Sequence, residues 1–229
     1  MSLLIAIIAK PDLHPDLRSR CIDLASQVVR HRVNIGTFGN IEMGIFDQAI
    51  EIVQPKNTGQ YWKLAEARNA LIDMHLKPQH KWVFWVDADI VQYSPDLPAK
   101  LYRANPTGIT APMVFIDNTD LFYDTLGFIE GGHRLLRNAP YFRYLNGSDL
   151  VELDSVGCLY LIPADVLRKS RYASLPYNSS QGHWSIERTG HTDHWPVMQA
   201  ARSLGLQVAC LKTEIAYHCN LPQFGEVWH

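Results

Sequence analysis

Two aspartates follow directly after an apolar segment of the sequence. Asp87 and Asp89 are separated by one alanine, come immediately after WVFWV (82–86), and precede Ile90, where the apolar pattern resumes. In open α/β sheets ligands collect at the carboxyl ends of strands, and hard carboxylate oxygens suit Mg²⁺ or Mn²⁺. An Asp-x-Asp triplet is common by chance, and an ordinary polar loop is the alternative. The apolar flanks favour a metal site, because two carboxylates are poorly placed there for simple solvation.

A charged residue lies on the apolar side of a predicted helix that spans residues 60–76. Arg68 projects into or beside the stripe that 3.6 residues per turn predicts, formed by Leu64, Ala67, Leu71 and Met74. Because arginine keeps its charge and offers a fixed fork of donors, an inward arginine usually has an anionic partner. That partner is a nucleotide phosphate or one of the site carboxylates. The alternative is an arginine at the edge of the stripe, paired structurally with Glu66 or Asp73.

A polar turn containing Asp154 and Ser155 runs into a predicted strand over residues 156–162. Gly157 removes a side chain where a ligand or another part of the backbone approaches closely. Ser155 and Gly157 are therefore predicted to contact a bound donor, and Asp154 to face the hydroxyls of a sugar. A bulge that only bends an edge strand is the alternative.

Two more polar residues lie at the ends of predicted elements. Asp193, flanked by His194 and close to His191, begins a predicted helix over residues 193–204. It is either an N-cap residue or a side chain that points into a cleft and binds a transferred sugar or an acceptor. His218 ends the last predicted strand and would complete the coordination of a cation held by Asp89, although a histidine at a strand end is more often structural.

Strand-like and helix-like segments alternate along most of the chain, which predicts an α/β fold with a mixed, mostly parallel central sheet flanked by helices. The predicted strands are 3–9, 33–38, 82–86, 109–115, 156–162, 206–211 and 214–218, and the predicted helices are 16–31, 60–76, 95–102 and 193–204. No repeat or linker divides the 229 residues, so we expect a single domain, 1–229. Residues 117–149 break the alternation and are expected to form long loops over the sheet edge, on the acceptor side.

Composition excludes several classes of protein. The net charge of −2 disfavours nucleic-acid binding. The four cysteines form no Cys-x-x-Cys pair, which argues against a zinc ribbon or a disulfide scaffold and suggests free thiols. The longest apolar run, residues 3–9, is too short to cross a bilayer, which needs about 20 residues. We therefore expect a cytoplasmic protein without a membrane span, or a catalytic fragment trimmed of an anchor.

Several sequence segments occur in one order along the chain: AEARNAL, WVFWVDADI, ELDSVGCLYLIPADVLR, HTDHW and AYHCN. This order resembles the nucleotide-sugar glycosyltransferases of GT-A (Rossmann-like) fold. More narrowly, it resembles the Anp/Mnn/Van group of mannan-polymerase α-mannosyltransferases of the fungal Golgi. The resemblance extends from the first strand to Asn220 and is most specific at EARNAL and DADI, whereas residues 117–144 do not align. It implies a location in the Golgi lumen if the chain is a trimmed catalytic domain.

The resemblance implies roles for individual residues at matching positions. Arg68 would contact the donor nucleotide or its phosphates. Asp87, Asp89 and His218 would surround Mn²⁺ or Mg²⁺, with Asp87 also near the ribose. Asp154 would lie near the donor sugar, and Asp193 would take the place of the acidic residue on the acceptor side. Asp193 and Asp154 are therefore the predicted catalytic residues.

The residues and the resemblance together predict a metal-dependent retaining glycosyltransferase that moves a hexose to a hydroxyl of a glycan or another acceptor. The resemblance implies GDP-mannose as the donor, and a UDP-linked sugar is the alternative donor. A nucleotidyl- or phosphate-transferring enzyme is a second possibility, but its GxxxxGK[ST] loop is absent from the sequence. A third is a non-catalytic carbohydrate-binding module that uses the 6 Trp and 10 Tyr residues.

Overall fold

An eight-stranded mixed sheet forms the centre of the fold in the computed structural model of the chain. The structure describes residues 1–10, 12–35, 37–51, 61–144, 147–174 and 192–220. The strands of this sheet are β1 (Ser2–Ile8), β2 (Asn40–Phe46), β3 (Trp82–Asp87), β4 (Ile90–Gln92), β5 (Ile109–Ile116), β8 (Leu150–Glu152), β9 (Leu159–Pro163) and β10 (Val208–His218). A separate hairpin contains β6 (Ile129–Glu130) and β7 (His133–Arg134). The described helices are α1 (Pro15–Ile35), α2 (Trp62–His75), α3 (Leu97–Ala104), α4 (Ala164–Lys169) and α5 (Trp195–Ser203).

The strand order of the sheet is β2-β1-β3-β9-β5-β10-β4, with β8 paired to β10. Strands β2 and β3 lie parallel to β1, and β10 lies parallel to β5. Strand β9 is antiparallel to both of its neighbours, β3 and β5, and β4 and β8 are antiparallel to β10. Five strands, β1, β2, β3, β5 and β10, therefore run in one direction. The predicted α/β fold class, with a mixed and mostly parallel sheet, is confirmed.

The central strands are apolar because both faces of the sheet are covered. Every residue of β1 from Leu3 to Ile8 is buried, as are the first five residues of β3. Continuous burial of this kind is typical of strands with helices on both faces, and it explains the unbroken apolar runs in the sequence. All four cysteines are free, as predicted, and all four are buried. None of the helices among the described residues is long and apolar enough to cross a membrane.

Two strand predictions are wrong. The segment 33–38 was expected to be the second strand, but α1 continues to Ile35 and the strand begins at Asn40. Its β-branched residues have local strand propensity, but β2 is fixed by its parallel pairing with β1, from Ser2–Asn40 to Ile8–Phe46. The predicted strands 206–211 and 214–218 form the single strand β10, which is interrupted where its register with β5 shifts between Leu211 and Ile215.

Candidate active site

A cavity of about 530 Å³ lies at the carboxyl ends of β1, β2 and β3. Ile8 is paired with Phe46 on one side and with Asp87 on the other, and all three residues line the cavity. Because neighbouring strands are about 4.8 Å apart, Phe46 and Asp87 lie about 10 Å from each other across the cavity. The beginning of α2 forms another part of the wall, through Tyr61, Lys63, Leu64 and Ala67. This is the place where an open α/β sheet is expected to bind a ligand.

Asp89 lines the cavity and lies beside His218. The distance from Asp89 Oδ2 to His218 Nε2 is 3.1 Å, and the His218 ring stacks on Tyr123 with 3.4 Å between ring centroids. Burial alone would raise the pKa of Asp89, but the charge and hydrogen bond of His218, together with the charge of Lys10, outweigh burial and lower the pKa. Burial disfavours the imidazolium of His218, but the Asp89 carboxylate outweighs this and raises the pKa of His218 to about 10. Asp89 Oδ1 is buried and accepts no hydrogen bond from any described residue.

Arg68 is completely buried beneath the cavity and joins two carboxylates. Its Nη2 donates to Asp87 Oδ1 at 2.8 Å, and its Nε donates to Asp193 Oδ2 at 2.6 Å. The guanidinium also faces the rings of Trp85 and Tyr172, at 5.0 and 5.7 Å. The inward arginine that the helical period indicates is therefore present, and of the two anionic partners considered it has the site carboxylates. Arg68 does not line the cavity, so its predicted contact with the donor stays a prediction.

Asp87 receives opposing influences from its surroundings. Burial raises the pKa of Asp87 to about 7, although the positive charge of Arg68 acts in the opposite direction. The Asp87 carboxylate is 22% exposed and turned towards Arg68. Among the described residues, no three His, Cys, Asp or Glu side chains are grouped as metal ligands. The structure thus brings Asp89 and His218 together, and it gives Asp87 a different partner.

The residues around Asp193 form a buried polar network. Asp193 precedes α5, whose N-cap position is occupied by His194 without a side-chain capping bond, so Asp193 does not cap the helix. The His194 ring makes two contacts. Its Nε2 lies 3.4 Å from Arg68 Nη2, and its Nδ1 lies 3.3 Å from the Tyr160 hydroxyl oxygen. Burial lowers the pKa of His194 to about 4, so the ring is neutral beside Arg68 at pH 7. Asp193 does not line the cavity, and the predicted neighbour His191 lies outside the described residues.

Gly157 makes room for a side chain that the sequence did not single out. A Cβ atom at Gly157 would overlap the carboxylate of Asp124 and would lie 3.1 Å from the Cα of Gly127. Asp124 Oδ1 accepts a hydrogen bond from the Gly127 backbone N–H at 2.7 Å, which fixes the turn between them. Burial raises the pKa of Asp124. The close approach expected at Gly157 therefore exists, and what approaches is Asp124, whose Asp-x-x-Gly turn pattern was a usable signal.

Asp154 and Ser155 are not part of this group. Asp154 forms an ion pair with Arg202, and its Oδ2 accepts a hydrogen bond from the Gly132 backbone N–H at 2.7 Å. Ser155 is buried, and its carbonyl oxygen accepts a hydrogen bond from the Ile129 backbone N–H at 3.1 Å. Neither residue lines the cavity. Their predicted contacts with the donor or the sugar stay predictions.

Comparison with known families agrees with the resemblance in the sequence. A sequence model of the Anp1 family matches residues 61–131, which contain both EARNAL and WVFWVDADI. The resemblance is therefore confirmed over this part of the chain, and it supports the predicted class, a glycosyltransferase. No curated protein matches the chain in sequence.

Three solved structures are similar to this chain at low sequence identity. The catalytic domain of Drosophila β1,4-galactosyltransferase 7, in complex with xylobiose, is 10% identical with a TM-score of 0.43, and the match covers 92% of this chain and 64% of that one. Residues 1–349 of S. aureus TarS are 10% identical with a TM-score of 0.46, over 98% of this chain and 62% of that one. A CMP:2-keto-3-deoxy-manno-octonic acid synthetase complexed with CTP is 11% identical with a TM-score of 0.42, over 96% of this chain and 90% of that one. The chain thus spans less than two thirds of the first two structures.

Proposed function

We propose that the protein is a metal-dependent retaining glycosyltransferase that transfers a hexose from a nucleoside diphosphate sugar to a hydroxyl acceptor. One observation carries the proposal: Asp89 lines the same strand-end cavity as a group of apolar side chains, and one of its carboxylate oxygens is buried without a hydrogen-bond partner among the described residues. The Anp1 match over residues 61–131 supports GDP-mannose as the first donor to test.

The cavity suits a nucleotide in size and in the distribution of its side chains. Its volume of about 530 Å³ falls within the range of about 300–1,000 Å³ found for small-molecule sites. At the β2 side, Phe46 and Ile50 offer an apolar surface to a base, together with Tyr61 and Leu64 of the α2 wall. At the β3 side, about 10 Å away, the carboxylates are placed to act on the phosphates through a cation.

The charge of the lining supports a requirement for a divalent cation. Among the described residues, three carboxylates, those of Asp12, Asp87 and Asp89, line the cavity together with two ammonium groups. A diphosphate close to the ionised carboxylates would be repelled by them unless a cation lay between. The unpartnered Asp89 Oδ1 is a hard oxygen ligand that suits Mn²⁺ or Mg²⁺, and His218 lies beside Oδ2, the other oxygen of the same carboxylate. A bound cation would neutralise the charge that develops on the leaving diphosphate.

The proposed reaction exchanges one bond of the anomeric carbon for another. The bond from this carbon to the diphosphate oxygen breaks while the bond to the acceptor oxygen forms on the same face. The proton of the acceptor hydroxyl passes to the departing diphosphate, so no protein nucleophile is needed. Asp89 would hold the cation, and Arg68 positions Asp87 and Asp193 without touching the substrate.

The proposal is tested by measuring the release of GDP from GDP-mannose, with UDP-glucose as the competing donor and mannose oligosaccharides as acceptors. Turnover is expected with Mn²⁺ and should be lost in EDTA. Asp89→Asn should abolish turnover, whereas Asp23→Asn, which removes an exposed carboxylate of α1 outside the cavity, should leave it unchanged. Full turnover in EDTA, or in Asp89→Asn, contradicts the proposal.

A binding assay separates the transferase from a carbohydrate-binding module. The melting temperature is measured with GDP, UDP or mannose, each with and without Mn²⁺, since a true ligand stabilises the folded protein by mass action. Stabilisation by a nucleotide only when Mn²⁺ is present supports the transferase. Stabilisation by mannose alone supports the binding module instead.

A further inference from the structure

Two lysines that belong to none of the predicted motifs line the cavity. Lys10 lies two residues after the end of β1 at Ile8, and Lys63 lies in the first turn of α2. Both residues are exposed, and neither forms a salt bridge with another described residue. Lys77 and Lys100, in contrast, are paired with Glu42 and with Asp96 and Glu214.

Arg68, which the family resemblance implies as the contact to the phosphates, lies outside the cavity lining. Arg68 is 0% exposed, both of its hydrogen-bonded carboxylates lie within 2.8 Å, and it does not reach the lining of the cavity. Its charge is already balanced by Asp87 and Asp193. A diphosphate in the cavity would therefore make no direct contact with Arg68, and among the described residues the positive side chains that line the cavity are Lys10 and Lys63.

The positions of the two lysines fit a diphosphate between the apolar side and the carboxylates. Lys10 continues β1, the strand between β2, which carries Phe46, and β3, which ends at Asp87. The positive charge of Lys10 also helps to lower the pKa of Asp89. Lys63 lies in the first turn of α2, which contains no acidic residue and has no side-chain cap. The backbone N–H groups of that turn favour an anion in the same region.

We propose that Lys10 and Lys63, rather than Arg68, bind the diphosphate of the nucleotide. This inference rests on the proposed function and names the side chains that recognise its leaving group. Each lysine supplies a mobile point charge with three donors, which suits phosphate oxygens that change position as the bond to the sugar breaks. Arg68 keeps the role of a positioning residue beneath Asp87.

The test is isothermal titration calorimetry with GDP, inorganic pyrophosphate and guanosine, each in the presence of Mg²⁺. Lys10→Gln and Lys63→Gln should each weaken GDP and pyrophosphate binding by about tenfold, as expected for the loss of one charge-assisted hydrogen bond. Guanosine binding should not change, since guanosine lacks phosphate. Lys81→Gln is the matched control, because Lys81 is exposed, precedes β3 and does not line the cavity. Lys10→Arg should retain most of the affinity.

The possible results separate this inference from the proposed function. If wild-type protein binds GDP with Mg²⁺ and the Lys10→Gln/Lys63→Gln double variant binds it equally well, the lysine assignment is overturned and the proposed function stands. If wild-type protein binds neither GDP nor pyrophosphate with Mg²⁺, the proposed function is overturned together with the assignment. If the lysine variants lose as much affinity for guanosine as for GDP, the lysine assignment is also overturned, because the lysines would then act on the nucleoside or on the fold.

Discussion

Replacing Arg68 with methionine tests the buried charge cluster most directly. The substitution keeps an unbranched side chain of similar length but removes the charge shared by Asp193 and Asp87. The Asp193 side chain is 2% exposed, so its carboxylate would be left buried without a cation, which costs about 3–5 kcal/mol. Asp87 is 22% exposed and adds less, because water screens it. We expect the free energy of unfolding to fall by about 3–5 kcal/mol, a large part of the roughly 5–15 kcal/mol that stabilises a domain.

The assay is urea unfolding followed by tryptophan fluorescence, and Trp85 reports locally because its ring lies 5.0 Å from the Arg68 guanidinium. Arg171→Met is the matched control, because Arg171 pairs with Asp73 on the surface, where both side chains are more than half exposed. Its loss should be at most about 1 kcal/mol. The double variant Arg68→Met/Asp193→Asn should lose less than Arg68→Met alone, because no uncompensated carboxylate remains at position 193.

The loss in Arg68→Met should also depend on pH. Burial already raises the pKa of Asp87 to about 7 with Arg68 present, so its ionised form is disfavoured in the folded protein. Without Arg68, the Asp87 carboxylate lowers the free energy of unfolding when it is ionised, and has little effect when it is protonated. The deficit relative to wild type should therefore be smaller at pH 5 than at pH 8. Equal losses for Arg68→Met and Arg171→Met, or a deficit that grows as the pH falls, would refute the reasoning.

Three further predictions concern the glycine contact, the histidine and the cation. Gly157→Ala should lower the free energy of unfolding by about 1–3 kcal/mol, because its Cβ meets Asp124, whereas Gly147→Ala, with open space around it, should cost less in the same urea assay. In metal-free protein, the raised pKa of His218 predicts stabilisation that is complete below pH 6.5 and lost as the pH rises to about 10. Urea midpoints at pH 6 and pH 10 should differ more in wild type than in His218→Gln, and an equal difference contradicts this. Mn²⁺ should raise the melting temperature of wild type but not of Asp89→Asn, and a shift in both would place the cation elsewhere.

The features predicted correctly from the sequence are those set by local pattern. The apolar run before Asp87 predicts a strand that is buried on both faces, and β3 is such a strand. The helical period indicates that Arg68 turns inward, and it is fully buried in α2. The same period was misleading for Met74, which was assigned to the apolar stripe and is 51% exposed. The buried residues of α2 include Ala65, Arg68 and Ile72, so the buried face is rotated relative to the assigned stripe and Met74 lies outside it.

The features that the sequence did not predict depend on contacts between distant parts of the chain. Asp124 lies in the region 117–149, which has no period, and its contact with Gly157 arises only when the two segments meet. Lys10 and Lys63 are single exposed lysines, without a pattern to distinguish them from Lys81. Their position at the cavity follows from the parallel pairing of β1 with β2 and β3 and from the start of α2. Sequence spacing alone contains none of these distances.

The interleaved order of the strands has a consequence for anyone who divides this chain into pieces. The segment 61–131 contributes β3 and β5, yet β9, which lies between them, comes from residues 159–163. A fragment that ended at residue 131 would leave the hydrogen-bonding edge of β3, which is apolar except for Asp87, open to other copies, and such edges promote aggregation. Arg68 in that fragment would also lack Asp193. The stretch that is easiest to recognise by sequence is thus unsuited to being expressed alone, and truncations should retain the chain through β10.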